Sequence, residues 1–263
     1  HVFAEKIANI SKENGISCLP AKVFNNSAIQ EVDGCFFFIY DWFEGKTLLQ
    51  EDLTIEICEI IAEQLAKIHN IDFSNLIKET TLHYSFNQID WELYLNKLEN
   101  INAKDLLKLN IEKFKILEKE SIESLKKISN INVISHRDLD IKNVLCNNTI
   151  PMIIDWESAG LVNPVMELID TAWNFSGGAN SFDKDKFTAF VEAYKQNGGN
   201  TDNFDIALKA DFKAKFGWLE YNLKRACQIE CSDEEEKILG ENEVIRTIDE
   251  INKFNYYSKF MKG

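Results

Sequence analysis

The sequence has no hydrophobic stretch long enough to cross a bilayer. Its longest unbroken run of apolar and aromatic residues spans positions 35–40, whereas a membrane helix needs about 20 such residues. The chain begins with His1 and not with methionine, so the sequence gives no basis for judging a targeting peptide. We therefore expect no membrane association.

The sequence also lacks cysteine pairs at the spacing that binds metals or carries out redox chemistry. Its six cysteines contain no C-x-x-C motif, and Cys227 and Cys231 are four positions apart. Cys35 and Cys146 lie in apolar runs of strand-like composition. This usage predicts buried free thiols in the reducing cytosol, so we expect a cytoplasmic protein.

Positive charge is scarce. The chain has 29 Lys and Arg against 43 Asp and Glu, a formal net charge of −14. Nucleic acid is therefore disfavoured as a partner, because binding its phosphates requires a basic face. An acidic cleft would concentrate a cationic small molecule, but an acidic, solvated surface explains the same composition. Charge alone does not choose the substrate.

Apolar residues are abundant, at 45% of the sequence with 18 Phe and 5 Trp, which is ample for a buried core. A length of 263 residues permits one large domain or two small ones. The dipeptide Asp33-Gly34 predicts a hairpin turn that leads into a strand. Apolar residues at helical spacing predict helices over these segments: Val2–Glu13, 54–70, 80–100, 106–129, 184–197, 202–223 and 244–260.

Two helical segments leave alternatives open. The aromatic-rich stretch 212–223 is more typical of a core than of a ligand cage. The acidic segment 231–250 is either a solvated helix or one wall of a cation-binding cleft.

The residues that carry chemistry are concentrated between positions 131 and 160. A short apolar run leads into His136, Arg137 and Asp138, and Asn143 follows in the same polar loop. Two further apolar runs flank an Asn-Asn turn signal at positions 147–148, which predicts a β-hairpin. The second run ends in Asp155, so the hairpin should bring Asp155 close to Asn143.

This arrangement predicts phosphoryl transfer. Asn143 offers a neutral oxygen and Asp155 a carboxylate, which are the hard ligands that Mg²⁺ takes alongside water and phosphate oxygens. Asp138 is placed to accept the proton of a hydroxyl nucleophile. A base and two metal ligands are the groups that transfer of a phosphoryl group requires.

The run H-R-D-L-D-I-K-N-V-L at positions 136–145, followed by I-I-D-W-E at 153–157, resembles the catalytic core of the aminoglycoside phosphotransferase and choline kinase superfamily. The absence of a D-F-G and of an A-P-E segment separates it from the protein kinases. The resemblance implies an α+β, protein-kinase-like two-lobe fold, with a truncated small β lobe at 1–45 and a large, mainly α-helical lobe at 46–263.

The resemblance also implies roles in nucleotide binding near the N-terminus. Glu5 stands where the family's helix glutamate pairs with a phosphate-binding lysine, although an exposed helix acid is an equal alternative. Tyr40 stands at the gatekeeper position. Asp41 and Phe43 belong to the hinge that offers backbone groups to the nucleotide base.

The family's phosphate-binding loop and its lysine-bearing strand have no counterpart in the four residues before Glu5. Three interpretations follow: the natural protein is longer, the protein is short and binds phosphate weakly, or a partner chain completes the sheet. We favour the first, because an interrupted sheet exposes an edge strand that folded proteins usually cover.

The other polar residues between positions 136 and 157 have the following predicted roles. His136 is assigned to the catalytic group, where orienting the loop by hydrogen bonding is the favoured role, and Arg137 is as often structural as functional. Lys142 either contacts the γ-phosphate or is an exposed lysine. Glu157 is a candidate acceptor contact because it follows the metal aspartate.

Two further residues are expected to be structural. His69 ends a helix that resembles the one opening the family's large lobe, and packing or capping is its expected role. Glu167 stands where the family usually has an aspartate, and the resemblance implies that it ties the catalytic loop to the following helix.

We therefore expect a Mg²⁺-dependent phosphotransferase that uses ATP or GTP and acts on a small, hydroxylated, cationic acceptor such as an aminoglycoside. Choline, another amino alcohol or a sugar is the alternative within the superfamily. A kinase-like nucleotide-binding protein without catalysis is the alternative of another class, although the intact Asp138, Asn143 and Asp155 argue against it.

Overall fold

The computed structural model describes residues 2–78, 80–147, 150–231 and 233–263. Within these ranges, no helix is both long enough and apolar enough to cross a membrane. Helices dominate, and the strands are short. In chain order the elements are α1 (Val2–Glu13), β1 (Gln30–Val32), β2 (Cys35–Phe37), β3 (Lys46–Thr47), α2 (Ile55–His69), α3 (Ser74–Ile77), α4 (Trp91–Lys97), α5 (Ile101–Ile128), β4 (Val133–Ser135), β5 (Val144–Asn147), β6 (Ile150–Ile153), β7 (Gly160–Val162), α6 (Pro164–Phe175), α7 (Gly178–Ser181), α8 (Lys184–Gln196), α9 (Phe204–Ala226) and α10 (Glu234–Tyr257).

The chain folds into two compact units. The first comprises residues 1–83, 131–202 and 263, and the second comprises 84–130 and 203–262. The first unit contains every strand of the described chain together with α1, α2 and α6. The second unit is helical.

The bounds predicted for α1 are confirmed, and those predicted for α2 and α8 are confirmed to within one residue. The α1 helix is followed by Gly15 at φ +84, a left-handed conformation that commonly ends helices. Thr54 caps α2 by accepting a hydrogen bond from the Ile57 N–H at 3.2 Å. The α2 helix packs against α6 and α8, and the Cys58 thiol donates to Phe175 O at 3.2 Å.

Among the described residues the strands form three small antiparallel sheets. One has the order β3-β5-β6, a second pairs β4 with β7, and a third pairs β1 with β2. The segment after α1 extends the first sheet, since Ile153 N donates to Ser17 O at 2.8 Å and Leu19 N donates to Ile153 O at 3.1 Å. The chain that leaves α1 is therefore joined to the hairpin formed by β5 and β6.

The hairpin predicted at Asp33-Gly34 is present. Val32 pairs with Cys35 across the turn, and both turn residues have positive φ. Most side chains of this hairpin are exposed, including that of Cys35. All six cysteines are free, as predicted, but the expected burial of Cys35 is wrong because nothing in the described chain covers β2.

The second unit is built on α5, α9 and α10, which pack on one another. Its core is aromatic: the rings of Trp91, Phe114 and Phe216 lie with centroids 5.4–5.9 Å apart. Glu118 is buried beside them and accepts from the Trp91 Nε1–H at 2.9 Å and from the Ile89 N–H at 2.8 Å. This buried carboxylate fixes the start of α4.

Two helix predictions for the second unit need correction. The expected helix at 80–100 is reduced to α4, because Ile89 and Trp91 turn inward to Glu118 and the chain before them is irregular. The last helix begins at Glu234, ten positions before the predicted start, because Asp233 caps it by accepting from the Glu236 N–H at 2.9 Å. The aromatic stretch is mostly core as expected, although Trp218 and Tyr221 are exposed.

Candidate active site

The catalytic hairpin brings Asn143 and Asp155 together at its open end. β5 and β6 pair in the register that joins Val144 to Ile153, and beyond this pair Ile154 N donates to Asn143 O at 3.0 Å. Asp155 is the next residue. The predicted hairpin is therefore confirmed, while part of its Asn-Asn turn, at position 148, lies outside the described residues.

Asn143 is buried and its amide is oriented by two hydrogen bonds. Its Nδ2 donates to the backbone oxygen of Asp138 at 2.8 Å and to Asp138 Oδ2 at 2.9 Å. Both amide hydrogens are thereby used on the loop. The carbonyl oxygen Oδ1, on the other side of the amide, is the atom that remains for a cation.

The loop between these residues is a tight turn capped by Asp140. Asp140 N donates to Asp138 O at 2.9 Å, and Asn143 N donates to Asp140 O at 2.9 Å. The Asp140 side chain accepts from the Lys142 N–H at 3.2 Å. This turn places Lys142 Nζ 3.4 Å from Asp138 Oδ2, so the site contains an ion pair between a partly exposed carboxylate and an exposed lysine.

His136 is buried beneath the loop. Its Nδ1 accepts from the Asp138 N–H at 3.3 Å, so Nε2 carries the hydrogen that is donated to Ile154 O at 2.9 Å. Its ring contacts Trp156 edge-on, with centroids 4.7 Å apart. Burial lowers the pKa of His136 and keeps the ring neutral at pH 7. These contacts favour an orienting role, because they join the loop before Asp138 to the strand before Asp155.

Arg137 has a left-handed backbone, with φ +69. Its N–H donates to Glu167 Oε1 at 2.6 Å, the connection to the following helix that the resemblance implied. Its guanidinium lies against Gly160, where an added Cβ would be 3.2 Å from Nη1. Backbone and side chain of Arg137 are therefore both held by the segment that follows Asp155.

Glu167 is the centre of a buried polar network. Its Oε2 lies 2.9 Å from His69 Nε2, and His69 Nδ1 lies 2.7 Å from the Tyr194 hydroxyl. Burial by itself would raise the pKa of Glu167, but hydrogen bonds from His69, Ser135 and the Arg137 N–H outweigh it and lower that pKa. His69 is therefore packed and hydrogen-bonded, and the network joins three helices to the loop.

Glu5 is buried on α1 with its carboxylate held on both oxygens. Oε2 accepts from the Ala21 N–H at 2.7 Å, and Oε1 accepts from the Tyr40 hydroxyl at 2.9 Å. Burial and the hydrogen bond to Glu5 raise the pKa of Tyr40, with smaller contributions from Asp155 and Glu157. The α1 helix also packs on the turn at Trp156–Ser158. Glu5 is thus not the exposed helix acid of the alternative interpretation.

The hinge residues occupy a more open region. Asp41 forms an ion pair with Lys22 at 2.6 Å, and Phe43 lies against Gly45. A cavity of about 540 Å³ opens beside Gly45 and the end of β5. Its lining does not include the loop residues Asp138 and Asn143, so this cavity is separate from the catalytic loop.

The structure thus joins some of the predicted residues directly and others through shared neighbours. Asp138, Lys142 and Asn143 are in mutual contact, and His136 touches Asp138. Glu5 and Tyr40 form a second, hydrogen-bonded pair, and the charges of Asp155 and Glu157 contribute to raising the pKa of Tyr40. The side chains of Asp155 and Glu157 are exposed.

Sequence reasoning missed several residues that hold the site. Ala21 contributes only a backbone N–H, so no side-chain pattern could reveal it. Tyr194 is separated from His69 by 125 positions and looks like an ordinary helix aromatic. Asp140 could have been found, because an aspartate two residues before an N–H donor is a common turn cap.

The donor set fits a magnesium ion that relies on phosphate oxygens. In the described ranges, no group of three or more His, Cys, Asp or Glu side chains converges to hold a metal by itself. Asn143 and Asp155 instead offer one amide oxygen and one carboxylate beside the loop. Mg²⁺ in phosphoryl-transfer sites commonly takes few protein ligands and completes its shell with water and phosphate.

Solved structures with the same fold are kinase-like phosphotransferases. A spectinomycin phosphotransferase in complex with ADP and spectinomycin has a TM-score of 0.70 at 14% identity, and the match covers 98% of this chain and 83% of that one. An ethanolamine kinase of Plasmodium vivax has a TM-score of 0.59 at 16% identity, covering 94% and 71%. A choline/ethanolamine kinase family protein of Mesorhizobium loti has a TM-score of 0.56 at 12% identity, covering 96% and 84%. The predicted kinase-like fold is confirmed.

The sequence profile of the phosphotransferase enzyme family matches residues 5–207. The chain belongs to this family, and the resemblance to the aminoglycoside phosphotransferase and choline kinase superfamily is confirmed. No curated protein sequence matches the chain at a significant level.

Proposed function

We propose that the protein is a magnesium-dependent small-molecule kinase that transfers the γ-phosphoryl group of ATP to a hydroxyl of a cationic acceptor. The observation that carries this proposal is the contact between Asp138 and Asn143 at the open end of the hairpin that leads to Asp155. Family membership supports the reaction type. A cytoplasmic location, and the absence of nucleic-acid and membrane partners, remain predictions.

In the proposed reaction Asp138 accepts the proton of the acceptor hydroxyl. The hydroxyl oxygen forms a bond to the γ-phosphorus as the bond to the β,γ-bridging oxygen breaks, and ADP leaves. Asn143 holds Asp138 in place through Nδ2 and, with Asp155, would hold the magnesium ion. When bound, that ion would neutralise charge on the phosphates.

ATP is the proposed donor. Two solved structures of the similar spectinomycin phosphotransferase contain ADP and AMP, and GTP receives no comparable support. Tyr40, Asp41 and Phe43 are proposed to border the nucleotide base. Glu5, held by Tyr40, would set the position of α1 beside it.

An aminoglycoside or related cyclitol antibiotic is the first acceptor proposed, since the TM-score of 0.70 belongs to a spectinomycin phosphotransferase. An amino alcohol is the second, because ethanolamine and choline kinases share the fold. Both classes are cationic and hydroxylated, and the net charge of −14 favours a cationic ligand. Glu157 is proposed as an acceptor contact because it is exposed and follows Asp155.

The test is transfer of labelled phosphate from ATP, with Mg²⁺, to spectinomycin, gentamicin, ethanolamine and choline. We expect transfer to one class of acceptor and a loss of about 10²–10⁴-fold in Asp138→Ala, the usual contribution of a general base. Asp105→Ala, at an exposed position on α5, is the matched control and should keep full activity.

Nucleotide binding separates catalysis from the non-catalytic alternative. A ligand at 100 times its Kd stabilises a protein by about 2.7 kcal/mol, so MgATP should raise the melting temperature of both wild type and Asp138→Ala. Stabilisation without transfer to any acceptor would favour a nucleotide-binding protein. If the protein shows no stabilisation by MgATP and no transfer to any acceptor, the proposed kinase is refuted.

A further inference from the structure

The proposed base already has a cationic partner within its own loop. Lys142 Nζ lies 3.4 Å from Asp138 Oδ2, the same oxygen that accepts from Asn143 Nδ2 at 2.9 Å. One carboxylate oxygen of Asp138 is therefore shared by two donors. The acceptor hydroxyl must approach a carboxylate whose charge is partly neutralised.

The two donors are held very differently. Asn143 is buried and anchored by two hydrogen bonds. The Lys142 side chain is 65% exposed, although its backbone N–H is fixed by Asp140. Lysine carries a compact charge on a flexible four-carbon stem. The backbone of Lys142 is thus fixed, while its ammonium group is free to move.

Exposed ion pairs of this kind are weak, and a nucleoside triphosphate is the stronger partner. Its phosphates carry several negative charges against one on Asp138, and lysine binds phosphate as a point charge. Phosphates held beside Asn143 and Asp155 would lie next to the Lys142 loop. The ammonium group would then have a better partner than the carboxylate.

We propose that Lys142 exchanges partners during the reaction cycle. In the free protein it pairs with Asp138, and in the nucleotide complex it pairs with the phosphates, so the base is released for the acceptor hydroxyl only after the donor has bound. This inference rests on the proposed function. It makes Lys142 a residue that orders the two binding events in addition to a phosphate contact.

A double-mutant cycle on nucleotide affinity tests the exchange without requiring turnover. Calorimetry with Mg²⁺ and a non-hydrolysable ATP analogue would compare wild type, Lys142→Met, Asp138→Asn and the double variant. Removing the competing carboxylate should strengthen binding by about two- to fivefold more when Lys142 is present than when it is absent, the size expected of an exposed pair. AMP, which lacks the outer phosphates, should show no such difference.

Two variants serve as controls. Lys67 forms an ion pair with Glu63 at the same four-residue spacing on α2, away from the loop, and Lys67→Met should leave the affinity for the analogue unchanged. Lys142→Arg keeps the charge and should retain most of the coupling. Thermal unfolding of each variant would confirm that it is folded.

The outcomes separate this inference from the proposed function. If Asp138→Asn changes the affinity equally with and without Lys142, the analogue binds but the exchange is refuted. If the analogue binds neither wild type nor any variant, the proposed function fails and the exchange fails with it. Coupling that appears with the triphosphate analogue and not with AMP supports both.

Discussion

The catalytic loop and the β1–β2 hairpin lie in the same compact unit, yet they are built in opposite ways. In the loop the polar side chains of His136 and Asn143 are buried, as is that of Glu167 on the following helix, and each has two or more hydrogen-bonding contacts. In and after the hairpin it is the apolar side chains that are exposed, 69% for Phe36 and 91% for Trp42.

The comparison shows that buried side-chain hydrogen bonds are concentrated at the loop and not at the hairpin. A buried polar group that loses its partner destabilises the fold, so the loop is held to one geometry. An exposed aromatic side chain imposes no such constraint. We therefore expect substitutions of the buried loop side chains to disturb the site, and substitutions in the hairpin to be tolerated.

Among the substitutions that test this contrast, Asn143→Ala should have the largest effect. The change removes both hydrogen bonds to Asp138 and one proposed metal ligand, so we expect transfer to fall by at least about 100-fold. Steady-state kinetics with the acceptor found in the panel would measure it. Glu31→Ala, at an exposed position of the β1–β2 hairpin, is the control, and similar losses in both variants would contradict the contrast between loop and hairpin.

Glu167→Gln should destabilise the fold. The change removes the carboxylate that is bound by His69 Nε2 and the Arg137 N–H inside the protein, and losing hydrogen bonds to a buried charged group costs about 1.5–3 kcal/mol. Urea unfolding would measure the free energy. Glu157→Gln, an exposed neighbour of the site, should change it by less than about 0.5 kcal/mol. A small effect at Glu167 would mean that the buried network is not required.

Acidification should weaken the loop through His136. Burial lowers the pKa of His136 from its ordinary value of 6.5, so below about pH 6.5 the unfolded chain binds a proton that the folded chain does not. The free energy of unfolding therefore falls as the pH drops below 6.5, by up to about 1.4 kcal/mol per pH unit.

Urea unfolding between pH 7.5 and 5.5 would measure this slope. His136→Asn should flatten it, whereas His83→Asn, at an exposed position, should leave it unchanged. An unaltered slope in His136→Asn would assign the acid sensitivity to other groups.

The smallest effect is expected at the hairpin. Phe36→Ser and Trp42→Ser remove side chains that are mostly exposed, so each should change the free energy of unfolding by less than about 0.5 kcal/mol. Thermal unfolding of the 263-residue chain would measure both. A loss above 2 kcal/mol in either variant would show that these side chains are covered in solution.

The sequence was most informative where one residue type has one structural consequence. Apolar residues at helical spacing predicted the bounds of α1 and α2, and the Asp33-Gly34 dipeptide predicted a hairpin, because each depends on local sequence. The hairpin between Asn143 and Asp155 was predictable for the same reason, while the roles of Asp138, Asn143 and Asp155 stay predictions.

Features that depend on distant packing were not predictable. The segment 80–100 has helical spacing, but the buried carboxylate of Glu118 binds the Ile89 N–H and the helix begins only at Trp91. The apolar composition of β2 suggested burial, yet burial requires a neighbouring layer and Cys35 is exposed. Tyr194 joins the loop network through a contact that no local pattern encodes.

Arg137 and Gly160 share a single volume beside the loop. The guanidinium of Arg137 occupies the space that a side chain at position 160 would need, and the left-handed backbone at 137 is one that glycine adopts without strain. A Cβ at position 160 would lie 3.2 Å from the far end of the Arg137 side chain, which would have to shift by a few tenths of an ångström to accept it. The two positions are therefore expected to vary together: sequences with a residue larger than glycine at 160 should carry a shorter or displaced side chain at 137.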